Sequence, residues 1–258
     1  MKHALEVNGL HKSFADTRSR GPQQVLVDVS FHIAEGEFVS LIGPSGSGKT
    51  TLFHLIGGLE LPTSGDIRID GRSTIGEQGH IAYMPQQASL MPWLTVSANI
   101  ELALTISGLE KRHARQLAIE WLNRIGLGGT ANQFPHLLSG GMQQRVSFLR
   151  ALLSPKPLMC LDEPFGALDA LTRMHMQTWL LSLWEEAKRS VLFVTHSIEE
   201  ALLLSDRILV LSSAPATIVR EIEVAFPRPR SEALWSDPAF VGMKQELYGL
   251  LKPAEARR

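Results

Sequence analysis

Hydrophobic and polar positions along this chain alternate between short β-branched runs and longer stretches with helical spacing. The short runs predict strands. They lie at residues 5–7, 25–33, 38–42, 66–69, 80–84, 158–162, 191–195, 207–211 and 217–222. Strands that alternate with helices along a chain predict an α/β architecture.

The stretch from about residue 95 to 153 has a different pattern. Residues 96–107, 112–125 and 141–153 carry helical spacing with hardly any strand signal. We therefore expect a helical insertion in the α/β core.

After about residue 225, the sequence Phe226-Pro227-Arg228-Pro229-Arg230 precedes a helix-like stretch at 238–251, and we expect this short extension to pack on the rest of the chain with no site of its own. The Arg-Pro-Arg sequence favours an extended connector, with a basic contact surface as the alternative.

Composition narrows the class of protein. The 258 residues are 44% hydrophobic and 20% charged, which is enough for a substantial core in one large or two small domains. A formal net charge of −1 without a dense Lys/Arg run does not favour nucleic acid as a partner. The single cysteine, Cys160, excludes a disulfide framework and predicts a buried thiol. The sequence has neither a signal-peptide core nor an apolar stretch of about 20 residues, so we expect a cytoplasmic chain.

The most informative motif is a glycine-rich loop that follows the predicted strand at 38–42. It reads Gly43, Pro44, Ser45, Gly46, Ser47, Gly48, Lys49 and Thr50, with Thr51 continuing into an apolar helix. The pattern G-x-x-x-x-G-K-[ST] lets backbone N–H groups surround a β-phosphate, while the lysine reaches the β/γ oxygens and the hydroxyl ligates Mg²⁺. The following helix N-terminus favours the same negative charge. The sequence therefore predicts a site for a nucleoside triphosphate and Mg²⁺.

Two acids end the apolar strand at 158–162. In this context Asp162 is expected to hold Mg²⁺ through water, and Glu163 to polarise the attacking water. An isolated acidic pair would more often be an ordinary turn after a strand. The phosphate loop upstream favours the functional interpretation.

A serine and two glycines open the predicted helix at 141–153, in the sequence Leu138-Ser139-Gly140-Gly141-Met142-Gln143-Gln144-Arg145. This sequence resembles the signature of ATP-binding cassette (ABC) ATPases, with Met142 where glutamine is commoner. The resemblance covers roughly residues 4–225. It implies a P-loop NTPase (RecA-like) core, an N-terminal antiparallel β subdomain, a helical subdomain inserted at about 87–154, and a short extension at 226–258.

The resemblance also assigns roles to residues near the expected γ-phosphate. Gln86 resembles the glutamine that contacts Mg²⁺ and the attacking water, with Gln87 as the alternative. His196, at the end of the strand at 191–195, resembles the histidine that contacts the γ-phosphate. Glu163, His196 and Gln86 are thus the expected catalytic residues, and Thr50, Gln86 and Asp162 are the expected Mg²⁺ ligands.

Further roles concern the adenine and the second subunit. Phe14 occupies the place of the aromatic residue that stacks on adenine, although tyrosine is more usual there, and a small aromatic core residue is the alternative. The polar stretch 15–24 lengthens the loop after it. In the head-to-tail homodimer that the family forms, Ser139, Gly140 and Gly141 would bind the ATP held by the partner. Asp169, in the sequence Phe165-Gly166-Ala167-Leu168-Asp169, would communicate across the dimer.

Residues 90–96 and 164–173 resemble the ABC branch that imports nitrate, taurine, aliphatic sulfonates and the pyrimidine precursor of thiamine. That branch works at the cytoplasmic face of the membrane with permease subunits and, indirectly, an extracytoplasmic solute-binding protein. The apolar loop around Trp93 is then the expected permease contact, and ordinary core packing is the alternative. An ABC ATPase of an exporter, or of a module that does not transport, remains the alternative function.

Overall fold

Two β-sheets form the framework of the protein, whose structure is a computed structural model describing residues 2–15, 21–166 and 168–252. Their strands are β1 His3–Phe14, β2 Gln23–Ala34, β3 Phe38–Ile42, β4 Ser64–Ile69, β5 Arg72–Ser73, β6 Ile81–Met84, β7 Leu158–Asp162, β8 Ser190–Val194, β9 Arg207–Leu211 and β10 Ile218–Glu223. Each of the nine strands predicted from the sequence corresponds to one of these. The short strand β5 was not predicted, because two residues carry no period that could reveal it.

The larger sheet has the order β10-β9-β3-β8-β7-β6. Its strands from β9 to β6 run parallel, and β10 joins one edge antiparallel to β9. Strands β3, β7 and β8 are buried along their whole length, as expected for parallel strands that are covered on both faces. The smaller sheet is antiparallel, with the order β2-β1-β4-β5.

Seven α-helices accompany the sheets in the described residues: α1 Lys49–Ile56, α2 Val96–Ile106, α3 Lys111–Arg124, α4 Gly140–Leu152, α5 Ala170–Ala187, α6 Ile198–Leu204 and α7 Pro238–Leu251. Helices α2, α3 and α4 enclose an apolar core of their own, so the predicted helical insertion is confirmed. Helices α5 and α6 were not singled out from the sequence. None of the helices in the described residues is long and apolar enough to cross a membrane.

The central sheet separates two apolar layers. Val39 and Leu41 on β3 face a core shared with α1 and the antiparallel sheet, whereas Phe38 faces a core shared with α4, α5 and α6. Because successive side chains of a strand point to opposite faces, one five-residue strand supports both layers. Cys160 is buried in the first layer, where burial raises the pKa of its thiol.

Several helices begin with a side-chain cap, and three of these caps lie in segments that the sequence singled out. Ser139 accepts a hydrogen bond from the backbone of α4, Asp169 from α5, and Ser197 from α6. A polar side chain at this position satisfies an N–H group that has no partner inside the helix. Three of the segments that the sequence singled out therefore lead directly into a helix.

The chain after β10 returns to pack on α6. Phe240 and Leu247 of α7 are buried against Ile198 and Leu202 of α6. Arg230 is only 7% exposed and donates to four backbone carbonyls, and burial lowers its pKa to about 10. Its guanidinium is thus committed within the fold, which agrees with the expected connector and leaves Arg230 unavailable for a surface contact. The end of the predicted extension, 253–258, lies outside the described residues.

Candidate functional site

The glycine-rich loop lies between β3 and α1, and its backbone conformation requires glycine at defined positions. Gly48 adopts φ +89° immediately before α1, and an added Cβ would lie 2.8 Å from Cγ1 of Val25. In the described structure no side chain caps the first turn of α1. The N–H groups of that turn and the helix field are therefore directed at the space in front of the loop, as for an anion site.

That space is a cavity of about 710 Å³. Its walls are formed by Val25, Ser45, Gly46, Ser47, Gly48, Lys49, Thr50, Thr51, Gln86, Glu163 and His196. The fold thus brings the phosphate-loop residues together with all three of the predicted catalytic residues. Gly43 and Pro44 form the start of the same loop, where Gly43 lies against Leu211.

Lys49 is buried in the loop that carries it. Its Nζ donates to the carbonyl oxygens of Gly43 at 2.9 Å and Pro44 at 2.8 Å. Burial lowers its pKa, and the charges of Glu163 and Asp162 partly counter this effect. A desolvated ammonium group next to a cavity with exposed N–H donors is suited to bind a polyanion.

Asp162 lies at the end of β7, with 1% of its surface exposed. The Thr50 hydroxyl donates to its Oδ2 at 3.1 Å. Burial raises the pKa of Asp162, and the hydrogen bond from Thr50 lowers it in part. Thr50 and Gln86 line the cavity, whereas Asp162 is not among its lining residues and reaches it through Thr50. Hydroxyl, carboxylate and amide oxygens are the types of ligand that Mg²⁺ prefers.

Glu163 is held in a conformation that is uncommon for a residue with a side chain. Its φ is +47°, and its N–H donates to the carbonyl oxygen of Val194 on the neighbouring strand. Its Oε2 accepts a hydrogen bond from Nε2 of Gln86 at 3.0 Å and lies 3.4 Å from Nδ1 of His196. Outliers of this kind cluster at functional sites. Three loops thus converge on a single carboxylate oxygen.

Gln86 rather than Gln87 faces this group. Gln86 contributes to the cavity and hydrogen-bonds to Glu163, whereas Gln87 is exposed and is not among the lining residues. The structure therefore places Gln86 beside Glu163, and the contact with Mg²⁺ and the attacking water that the resemblance assigns to Gln86 stays a prediction.

Phe14 lies at the end of β1, outside the lining of the cavity. It pairs with Gln23, two residues before Val25 on β2, and Val25 does line the cavity. Phe14 is 38% exposed, with the ammonium group of Lys12 4.5 Å from the centre of its ring, so it is not a core residue. Residues 16–20 of the polar stretch that follows lie outside the described residues.

The signature residues and Asp169 also lie away from the cavity. Ser139 and Gly140 are exposed at the N-terminus of α4, and Gly141 follows in its first turn. Asp169 is exposed at the start of α5, where backbone and side-chain hydrogen bonds from Thr172 lower its pKa. Ala167, within the same predicted motif, lies outside the described residues. Within one chain these groups face solvent.

Two buried polar residues support the site and were missed from the sequence. Gln144 of α4 donates to the backbone carbonyl of Gln86 at 3.2 Å. Glu200 accepts from Thr195 at 2.5 Å and from Gln177 at 3.1 Å, directly behind the segment that carries His196. Ser197 and Glu200 have the spacing of a capping box, which predicts the start of α6 but not this inward direction of the carboxylate.

Known proteins resemble this chain over most of its length. A family model described as ABC transporter matches residues 26–166. The formylaminopyrimidine import ATP-binding protein ThiZ of Halalkalibacterium halodurans is 48% identical over 200 residues, 78% of each chain. The nitrate import ATP-binding protein NrtD of Synechocystis is 38% identical over 257 residues, 97% of this chain and 96% of the relative. The taurine import ATP-binding protein TauB of Yersinia pestis is 41% identical over 250 residues, 95% and 96% of the two chains.

Solved structures agree with the same fold. A dimeric structure of the ABC transporter cassette MJ0796 matches with a TM-score of 0.78 and 34% identity, over 86% of this chain and all of the other. A dimeric post-hydrolysis state of that cassette, bound to ADP and phosphate, matches with the same TM-score and 33% identity. The predicted architecture, an α/β core with an antiparallel β subdomain and a helical insertion, is confirmed.

Proposed function

Because this chain belongs to the ABC transporter family as an ATP-hydrolysing subunit, we propose that it powers the import of a small solute through a membrane permease. The observation that carries the catalytic part is the convergence of Gln86, Glu163 and His196 in the cavity of the phosphate loop. Hydrolysis needs a held triphosphate, an oriented water and a stabilised γ-phosphoryl group, and these residues are of the types that provide them.

The triphosphate is bound by the loop Gly43, Pro44, Ser45, Gly46, Ser47, Gly48, Lys49, Thr50 and Thr51. Backbone N–H groups of the loop and of the first turn of α1 surround the β-phosphate, and Lys49 turns from the loop carbonyls towards the β/γ oxygens. Phe14 supplies an exposed ring on which adenine stacks.

In this proposal Thr50, Asp162 and Gln86 would hold Mg²⁺. When bound, Mg²⁺ would neutralise negative charge on the triphosphate. The burial of Asp162, together with its hydrogen bond from Thr50, keeps the carboxylate oriented for this purpose.

The hydrolytic step is the attack of water on the γ-phosphorus. Glu163 orients this water and accepts its proton, the bond from the γ-phosphorus to the bridging oxygen breaks, and ADP and phosphate form. His196 donates to a γ-phosphate oxygen as charge develops there. Gln86 holds the carboxylate of Glu163 at the correct angle through the 3.0 Å hydrogen bond.

The site is completed by a second copy of the chain. Ser139, Gly140 and Gly141 lie at an exposed helix N-terminus, a suitable anion donor for the γ-phosphate of ATP on the partner. Asp169, exposed at the start of α5, contacts the partner near the same place. Binding of two ATP molecules closes the dimer, and hydrolysis releases it.

The permease contact is the loop at 90–94. Trp93 is 71% exposed, which argues against the core-packing alternative for this side chain. The fully buried Asn99 holds the loop in place, because its side chain accepts from the N–H of Met91 at 2.7 Å and donates to the carbonyl oxygens of Met91, Leu94 and Thr95. A rigid loop that presents an exposed indole is typical of an interface anchor.

Three relatives are named for the import of formylaminopyrimidine, nitrate and taurine. Their names support a small polar solute as the cargo. In this proposal an extracytoplasmic binding protein delivers the solute to the permease, and this chain acts at the cytoplasmic face. No specific observation favours the exporter or the non-transport alternative.

The proposal is tested by measuring phosphate release in proteoliposomes. The purified chain is assayed alone, with its membrane permease, and with the permease and the binding protein. We expect turnover to rise with each addition and to be lost in Glu163→Gln. Turnover that responds to the permease but accompanies outward movement of solute would establish an exporter instead, and turnover indifferent to any permease would establish a non-transport module.

A further inference from the structure

Helix α6 connects the predicted γ-phosphate contact with the C-terminal segment. It begins at Ile198, two residues after His196, and has only seven residues. The side chain of His196 is 66% exposed, and its only described ion-pair contact is with Glu163. The direction of the imidazole therefore depends strongly on how its backbone and α6 are held.

The C-terminal segment holds the end of α6. Arg228 donates to the carbonyl oxygen of Leu204 at 2.7 Å, and Arg230 donates to those of Leu202, at 3.1 Å, and Ser205. The last carbonyl groups of a helix have no partner within it, and a cation there also suits the helix dipole. Two arginines from outside the helix thus satisfy its C-terminal turn.

The same segment also reaches the start of α6. Nζ of Lys244 on α7 lies 2.5 Å from Oε1 of Glu199, and Oε2 of Glu199 accepts a hydrogen bond of 3.1 Å from the hydroxyl of Ser197. Ser197 is bonded directly to His196 in the chain. A continuous row of polar contacts therefore leads from α7 to the residue beside the imidazole.

We propose that Lys244 is a positioning residue for ATP hydrolysis, acting through Glu199 and Ser197 on His196. The inference rests on the proposed function, in which His196 contacts the γ-phosphate. It assigns to the C-terminal segment the task of setting the direction of this histidine. Lys244 itself is not among the residues that line the nucleotide cavity.

The test measures kcat and KM for ATP in Lys244→Met and Lys244→Arg. We expect Lys244→Met to lower kcat about three- to tenfold with KM unchanged, because a small misplacement of a catalytic group acts on the chemical step. Lys244→Arg keeps a cation that can pair with Glu199, so it should retain the wild-type kcat. A purely structural role would instead lower the yield of active protein and leave kcat per active site intact.

A matched control lies on the same helix. Glu246 of α7 pairs with Arg220 of β10 at 4.0 Å and makes no described contact with α6, so Glu246→Gln should keep the wild-type kcat. Equal losses in Glu246→Gln and Lys244→Met, or wild-type kcat in Lys244→Met, would overturn the inference.

Two further variants separate this inference from the proposed function. If Glu163→Gln and His196→Ala lose turnover while Lys244→Met does not, only the positioning role is wrong. If Glu163→Gln keeps wild-type turnover, the proposed catalytic assignment itself is wrong.

Discussion

The side-chain amide of Gln86 donates a hydrogen bond of 3.0 Å to Oε2 of Glu163, across 77 positions of sequence. This bond fixes the carboxylate that we expect to orient the attacking water. We predict that Gln86→Ala lowers kcat by about tenfold to a hundredfold, since loss of alignment weakens catalysis by amounts of this order. Phosphate release under saturating Mg²⁺-ATP measures the effect.

The neighbouring glutamine provides the control for that experiment. Gln87 is equally exposed but lies outside the cavity lining, so Gln87→Ala should retain turnover within about twofold of wild type. If Gln87→Ala proves the more damaging substitution, the alternative left open by the sequence is correct.

A second prediction concerns the sharing of each site between two subunits. Lys49→Ala damages the phosphate loop, and Ser139→Ala damages the signature segment, so each variant dimer alone should be inactive. A head-to-tail heterodimer of the two combines both defects in one site and leaves the other site intact. With random pairing, half of the dimers are heterodimers with one intact site of two, so we expect an equal mixture to recover turnover, up to about a quarter of the wild-type value.

The mixture is assayed by phosphate release, with each variant alone at the same total concentration as the control. Ser139→Ala also removes the cap of α4, which costs about 1 kcal/mol, so the melting temperature is recorded in parallel. A folded mixture that is no more active than its components would mean that each subunit completes its own site.

A third prediction uses two glycines of the phosphate loop that share a left-handed backbone. Gly48 has φ +89°, and a methyl group added there would lie within 3.0 Å of Val25 and Leu26. Gly46 has φ +76°, and a methyl group added there would have no atom within 4 Å. We predict that Gly48→Ala lowers the free energy of unfolding by about 2–4 kcal/mol, from backbone strain and overpacking together. Gly46→Ala should lose about 1–2 kcal/mol from strain alone.

Urea unfolding of both variants without nucleotide distinguishes the two contributions. The closeness of Val25 and Leu26 on β2 to the loop is the reason that we expect the larger loss at position 48. Equal losses of stability at the two positions would show that contact with Val25 and Leu26 has no energetic role.

The sequence predicted the fold well where the hydrophobic period extended over many residues or where a motif fixed the position of an element. The parallel strands read as apolar runs because both of their faces are buried, and α2 to α4 carry a clear helical period. Helix α6 was missed because it has only seven residues, six of which are buried, so it shows no amphipathic period, although Ser197 and Glu200 have the spacing of a capping box at its start. Strand β1 was predicted at 5–7 but extends to Phe14, because its second half pairs through several register shifts that disturb the alternation.

The residues of the candidate site also fall into two groups, those that could be predicted from the sequence and those that could not. Gln86, Glu163 and His196 each follow a strand of one parallel sheet, so their strand ends meet at one edge. Glu163 was identified from its position after an apolar strand, and Gln86 and His196 from the family resemblance. Gln144 and Lys244 could not be found, because their roles depend on which helix packs beside which loop. A polar residue in a helix gives no sign of its partner until the tertiary contacts are known.

A fourth prediction concerns the buried carboxylate of Asp162. Burial raises its folded-state pKa above the usual 3.8, and repulsion by Glu163 adds to this, while Thr50 and Lys49 oppose it. The folded state therefore binds this proton more tightly than the unfolded state does, and stability falls as the pH rises from about 3.8 through the folded pKa. Asp162→Asn cannot titrate and still offers an oxygen to Thr50.

We therefore expect Asp162→Asn to be more stable than wild type at neutral pH, by about 1.4 kcal/mol per unit of raised pKa. The advantage should shrink as the pH is lowered towards 4, and urea unfolding across that range measures it. Asp66 is the control, because its hydrogen bonds with Arg68 and Ser73 lower its pKa, so that Asp66→Asn should destabilise at neutral pH. A variant Asp162→Asn that is less stable than wild type at pH 7 would contradict the burial argument.

The last prediction separates the permease surface from the catalytic site. Trp93 is 71% exposed on a loop fixed by Asn99, and it lies outside the nucleotide cavity. Trp93→Ala should leave the melting temperature and the ATP turnover of the isolated chain unchanged, because no buried contact is lost. It should weaken binding to the permease by about 2 kcal/mol or more, roughly thirtyfold, as is typical of a tryptophan anchor.

Trp235, 47% exposed beside α7, is the matched control, and Trp235→Ala should bind the permease as wild type does. Binding to permease in detergent, measured for both variants, decides the matter: equal affinities for Trp93→Ala and wild type would place the permease contact elsewhere on the chain.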